Sequence, residues 1–219
     1  AHTVQVELDA ALTRQLLQQA PAAYRTQVND LLLTALARVI CHWTGEHAAL
    51  IELEGHGREA LFDDVDLTRT VGWFTSLFPV RLPVAGPVGD TIKQVKEHLR
   101  AIPDKGIGFG VLRYLGDTAT RQGLTGLSQP RITFNYLGQF SASAAGEDDA
   151  LFAPAAESGG RQVSDQAPLG NALTINGQVF DGALKLDFTF SRQRFAAGII
   201  EHLAHAYAVS YTHLRAHET

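Results

Sequence analysis

The chain has 219 residues, of which 45% are hydrophobic and 19% charged, and a formal net charge of −5. That length suffices for a full hydrophobic core, in one large domain or two small ones, and the composition is that of a globular protein. The charge leaves no electrostatic footprint for nucleic acid or an anionic membrane; no apolar run approaches the roughly 18 residues of a membrane span, and no signal peptide opens the chain.

Val4, Val6 and Leu8 alternate with polar residues and predict a short half-buried strand. Asp9 is placed to cap a helix running to about Gln19, ended by Ala20-Pro21. The next helix carries Leu32, Ala35, Leu36, Val39, Ile40 and Trp43 on one stripe and closes at Gly45; its simplest role is core packing. Cys41, the single cysteine, has no internal disulfide partner, which suits a reducing cytosol. Its helix is apolar, so it reads as a buried thiol rather than a nucleophile.

The apolar run Ala48 to Leu53 predicts a buried strand that delivers the hexapeptide Glu54-Gly55-His56-Gly57-Arg58-Glu59. Two readings fit these six residues. A carboxylate held at a strand end and partly desolvated suits proton transfer. A polar strand exit stitched by surface salt bridges is the simpler reading, and the hexapeptide alone favours it.

Val71 to Phe74 and Leu77 to Leu82 predict strand segments around a bend, closed by Pro83 and Pro87. Asp90 starts a helix with Ile92, Val95, Leu99 and Ile102 on one face, and Pro103 stops it. The glycines of 106–110 follow a helix rather than a strand, which argues against a dinucleotide or phosphate loop. Arg131 to Gly138 reads as a strand, and Ser141 to Asn171 as a long surface loop. Leu173 to Phe180 and Ala183 to Phe190 predict a hairpin turning at Asp181-Gly182, with Leu184, Leu186, Phe188 and Phe190 on its buried face. Ser191 is placed to cap a last helix with Phe195, Ile199, Leu203 and Tyr207 inward. His202 and His205 ride that helix as a solvated face rather than a metal site. The lack of methionine predicts that the chain does not begin at its own start codon. Residues 209–219 read as translated sequencing adaptor and not native, leaving 1–208 as the natural sequence; His213 and His217 are discounted with that tail. Strands and helices alternate irregularly with a late hairpin, so the expected class is α/β of the α+β type, a mixed β-sheet covered by helices.

Five segments in this order carry a family resemblance. They are Asn29 to Leu36, the hexapeptide Glu54 to Glu59, Arg69 to Pro79, Pro103 to Gly110, and Phe134-Asn135-Tyr136-Leu137-Gly138-Gln139. The second, third and fifth together are highly specific. Residues 1–208 resemble the C-terminal lobe of the epimerization domains of nonribosomal peptide synthetases, one lobe of a two-lobed fold like that of chloramphenicol acetyltransferase. The motif His-His-x-x-x-Asp-Gly of the family's first lobe is absent from this chain.

The resemblance implies inversion from L to D at Cα of an aminoacyl or peptidyl thioester, carried on the phosphopantetheine of a peptidyl carrier protein. The lobe itself would bind no cofactor and no metal. Glu54 would be one of two proton-transfer groups, and the histidine of the other lobe its opposite number; Tyr136 matches a family active-site position. Weaker candidates to line the tunnel are His56, Asn135, Trp73 and Phe74, with Asn135 on the side of its strand opposite Tyr136. Gly55, Gly57, Arg58 and Glu59 would be structural. Expected partners are the carrier protein, the first lobe and neighbouring synthetase modules, in the cytoplasm and without nucleic acid or membrane. A lone lobe would be inactive, since it offers neither two-sided proton transfer nor water exclusion. The rival readings are a peptide-bond-forming condensation domain and a non-catalytic module that docks a carrier protein.

Overall fold

The computed structural model describes residues 1–140, 160, 164 and 167–215, so most of the long segment 141–171 lies outside the described residues. Strand β1 (His2–Leu8) forms where the alternation predicts it. Asp9 caps α1 (Ala10–Arg14) by accepting the Leu12 amide at 2.8 Å. The helical path does not stop at Ala20-Pro21, contrary to expectation. It passes through a π turn (Gln15–Gln19) into α2 (Ala20–Tyr24), where Pro21 occupies a first-turn position and its missing N–H costs little.

Helix α3 (Val28–Thr44) closes at Gly45 as predicted. It is buried around more than one stripe: Leu31, Leu32, Leu33, Ala35, Leu36 and Ala37 are all sealed from solvent. The cause is that α3 packs on the sheet and on two further helices, α4 (Val88–Arg100) and α7 (Ala197–Arg215). Trp43, assigned to the inward stripe, is instead 40% exposed and rests on Phe195, ring centroids 5.8 Å apart.

The remaining strands are β2 (Ala48–Gly55), β3 (Ser76–Pro83), β4 (Ile132–Phe140), β5 (Leu173–Phe180) and β6 (Ala183–Phe190). They join β1 in a six-stranded sheet of order β1-β6-β5-β4-β2-β3. The pairs β5–β4 and β4–β2 are parallel and the others antiparallel, so the sheet is mixed, as expected. The hairpin turns at Asp181 and Gly182, both at positive φ (49° and 81°), which suits the right-handed twist of the flanking strands. Its residues Leu184, Leu186, Phe188 and Phe190 are buried.

Two expectations fail in instructive ways. Residues 71–74 are not strand: β3 begins at Ser76, and Val71 is fully exposed. Ser191 does not cap the last helix. Its hydroxyl accepts the Gln193 amide and its carbonyl those of Arg194 and Phe195, forming a turn, and α7 starts only at Ala197. The helix therefore turns Ile200, Leu203, Ala204 and Tyr207 inward and leaves Ile199 45% exposed. It continues to Arg215, and the Tyr211 ring packs against Tyr207. Between α4 and β4 lie a 3-10 turn (Pro103–Gly106) and helices α5 (Gly108–Leu115) and α6 (Thr118–Thr125). Among the described residues no helix is long and apolar enough to cross a membrane, and no group of three His, Cys, Asp or Glu is gathered for a metal ion.

Tyr207 donates its hydroxyl to the Leu32 carbonyl at 2.9 Å, and burial pushes its phenol far above the ordinary value of 10. The unfolded chain loses that proton first, so the contribution is complete below pH 10 and is lost as the pH rises above it. Urea unfolding across alkaline pH should show stability falling by about 1.4 kcal/mol per pH unit from this group, and Tyr207→Phe should flatten that slope.

Candidate active site

Strands β2 and β4 are neighbours over only two pairs of residues, Glu52 with Thr133 and Leu53 with Phe134. Beyond them the strands part, and a cleft of about 540 Å³ opens at their carboxyl ends. In sheets with parallel strands that is where ligands bind, because the loops diverge and leave a crevice. Glu54, His56, Asn135 and Tyr136 all line it, as do Asn29 and Gln27 from the start of α3.

The register assigns the faces. Leu53 and Phe134 point into the core, so Glu54 and Asn135, one residue on, share the opposite face, and Tyr136 returns to the helix side. Asn135 and Tyr136 thus alternate as expected, and it is Asn135 that stands on the side of Glu54. The splitting of the strands brings both faces to one gap.

The Glu54 carboxylate has no hydrogen-bond or ion-pair partner among the described residues, although it is half-buried. Glu52, two residues earlier on the same face, differs sharply: one of its oxygens accepts from Thr133 at 3.1 Å and Asn171 at 2.9 Å. Glu52 is bound into the sheet; Glu54 is left available. The Tyr136 hydroxyl is sealed from solvent and also lacks a partner, and burial raises its phenol above the usual range. It therefore stays protonated through neutral pH and can donate a hydrogen bond.

The other polar side chains of the hexapeptide are all engaged in contacts within the fold. His56 Nδ1 accepts the Arg58 amide at 2.9 Å, which places the ring proton on Nε2, 3.2 Å from Glu59 Oε1. The other Glu59 oxygen meets Lys105 Nζ at 2.9 Å. Lys105 also lines the cleft, and sequence reasoning missed it. The glycine after it, Gly106, has φ 82° and lies so close to the Phe78 ring that a Cβ there would come within 2.3 Å. Arg58 donates to the carbonyls of Leu67, Thr70 and Gly72 and stacks over the Phe74 ring at 4.2 Å. Those bonds hold residues 67–74 as a loop and explain why the apolar run there is not a strand. Gly57, at φ 65°, lies against the Phe74 carbonyl. Gly55 faces Ser76 across the sheet edge. Trp73 is 89% exposed, and neither it nor Phe74 is brought into the cleft.

The fold and cleft define an α/β domain with a free carboxylate and a protonated phenol at the split of two parallel strands. The chain belongs to the condensation domain family, whose model matches residues 1–211. A linear gramicidin synthase polypeptide of Brevibacillus parabrevis is 46% identical over 217 residues, 98% of this chain but 4% of that protein. Surfactin synthase subunit 2 of Bacillus subtilis (strain 168) is 40% identical over 200 residues, 91% of this chain and 5% of that protein. The chain thus spans a small part of the curated relatives it matches. A crystal structure of the epimerization domain from the third module of tyrocidine synthetase B superposes with a TM-score of 0.88 at 36% identity, covering 99% of this chain and 48% of that one. The first condensation domain of the CDA synthetase, at 17% identity and a TM-score of 0.62, covers 96% of this chain and 45% of that one and shares the fold.

Proposed function

We propose that residues 1–208 are the C-terminal lobe of a nonribosomal peptide synthetase epimerization domain, with the final eleven residues not native. The lobe would act in the cytoplasm beside neighbouring synthetase modules. The substrate would be an aminoacyl or peptidyl thioester on the phosphopantetheine of a carrier protein, and the reaction inversion from L to D at Cα. The observation that carries this reading is the unpartnered Glu54 carboxylate in a cleft that Tyr136 also lines. The likeness to an epimerization domain over almost the whole chain supports it.

The chemistry follows from the thioester. Its carbonyl acidifies the Cα proton; Glu54 takes that proton, the C–H electron pair becomes a Cα–C double bond, and the carbonyl π pair moves to oxygen. Inversion requires a proton from the opposite face, and the proposed donor is the histidine of the other lobe's His-His-x-x-x-Asp-Gly motif. The enolate oxygen needs hydrogen-bond donors, and Tyr136 is one.

Solvent deuterium entering Cα of a carrier-bound aminoacyl thioester, measured on the complete synthetase carrying this chain, tests the proposal; absence of exchange overturns it. His56 has both ring nitrogens engaged and serves the loop, so His56→Ala should change exchange by less than about tenfold, below the range of a general acid or base. A larger loss would return His56 to the proton-transfer machinery.

A further inference from the structure

Resting on the epimerization reading, the inference concerns the wall of the cleft formed by α3. Asn29 stands in the first turn of that helix and lines the same cleft as Glu54 and Tyr136. Its side-chain oxygen is sealed from solvent and unpaired, as is the Tyr136 hydroxyl. The amide nitrogen is not sealed, and it makes no hydrogen bond among the described residues, so its N–H donors are open to the cleft.

The fold has no other use for this amide. The N-terminal amide at the start of α3 is satisfied by Asp30, whose carboxylate accepts the Gln27 N–H at 2.8 Å. One planar amide with its oxygen sealed and its nitrogen unsealed turns its NH2 group toward the open space of the cleft, in the gap that holds the unpartnered Glu54 carboxylate.

We infer that Asn29 is a further catalytic residue, a neutral donor to the thioester oxygen. As Glu54 removes the Cα proton and negative charge builds on that oxygen, the Asn29 NH2 and the Tyr136 hydroxyl hold it between them. Neither donor gives up its proton; both lower the energy of the enolate, and the same contacts act in reverse when Cα is reprotonated. The contact is made chiefly in the transition state, so it speeds turnover rather than binding.

Asn29→Asp is the discriminating variant. It keeps the size of the side chain, but one carboxylate oxygen would take the sealed, unpaired place of the amide oxygen next to the buried Asp30, so thermal stability should fall, the favourable first-turn position offsetting only part of that cost. It also replaces the donor with an acceptor facing the enolate. In the complete synthetase, deuterium entry at Cα should fall by about a hundredfold or more, with KM for the carrier-bound substrate within about twofold. Asn29→Ala should show the same split between kcat and KM with a smaller loss. Exchange within about threefold of the unsubstituted protein in the Asp variant overturns the role of Asn29 alone. Absence of exchange before any substitution overturns the epimerization reading and Asn29's role with it.

Discussion

Glu54→Gln should suppress deuterium exchange at Cα by at least about a hundredfold, the lower end of what a positioned general base contributes. It should do so without unfolding the protein. The Glu54 carboxylate makes no hydrogen bond or ion pair among the described residues, so an isosteric amide removes no structural contact. Its effect on stability should stay within about 0.5 kcal/mol. Glu52→Gln supplies the reverse result. Glu52 lies on the same face, two residues earlier, and its carboxylate ties β2 to β4 through Thr133 and to Asn171. Losing the charge on that oxygen should cost about 1–2 kcal/mol of stability while leaving exchange largely intact. The crossed outcome separates a base from a charge in its neighbourhood. Equal losses of exchange in the two variants, or full exchange in Glu54→Gln, would take Glu54 out of the mechanism.

What could be read from the sequence follows the range of the interactions. Alternation along Ala183 to Phe190 is local, and the hairpin with its turn at Asp181 and Gly182 appears where it was predicted. Glu54 was singled out through the family resemblance, the hexapeptide alone favouring a structural reading. Asn29 was not, because its place in the cleft depends on β2 and β4 meeting over two residue pairs and then parting. The paired Glu52 and Thr133 stand 81 positions apart in the chain, and no local pattern announces that split. The reading of residues 71–74 as strand failed for a similar reason: the competing partner is Arg58, which takes the carbonyls of Leu67, Thr70 and Gly72. For α7 the start and one position were misread: the helix begins at Ala197 and Ile200 rather than Ile199 occupies the core, while Leu203 and Tyr207 face inward as expected.

The loop pinned by Arg58 carries the second large effect, Gly57→Ala, which should destabilise the protein by about 3 kcal/mol, or roughly 6–12 °C in Tm. Two costs combine. Gly57 has φ 65°, and a Cβ there would fall 1.6 Å from the Phe74 carbonyl oxygen and 2.6 Å from its carbonyl carbon. The first cost is conformational, about 1–2 kcal/mol for a non-glycine residue in the left-handed region. The second is steric and involves backbone, which cannot move aside as a side chain does, so residue 74 must shift and the Arg58 stack on the Phe74 ring must loosen. Gly45→Ala separates the two, because Gly45 has φ 74° and nothing within 4 Å of its added Cβ. It should cost only the conformational part. Tryptic cleavage after Arg69, within the loop that Arg58 pins from Leu67 to Gly72, should accelerate in Gly57→Ala and stay at the unsubstituted rate in Gly45→Ala. Equal destabilisation by the two substitutions would mean that the loop yields without resistance. In that case the glycine serves the turn alone, and the coupling of the hexapeptide to residues 67–74 is slack.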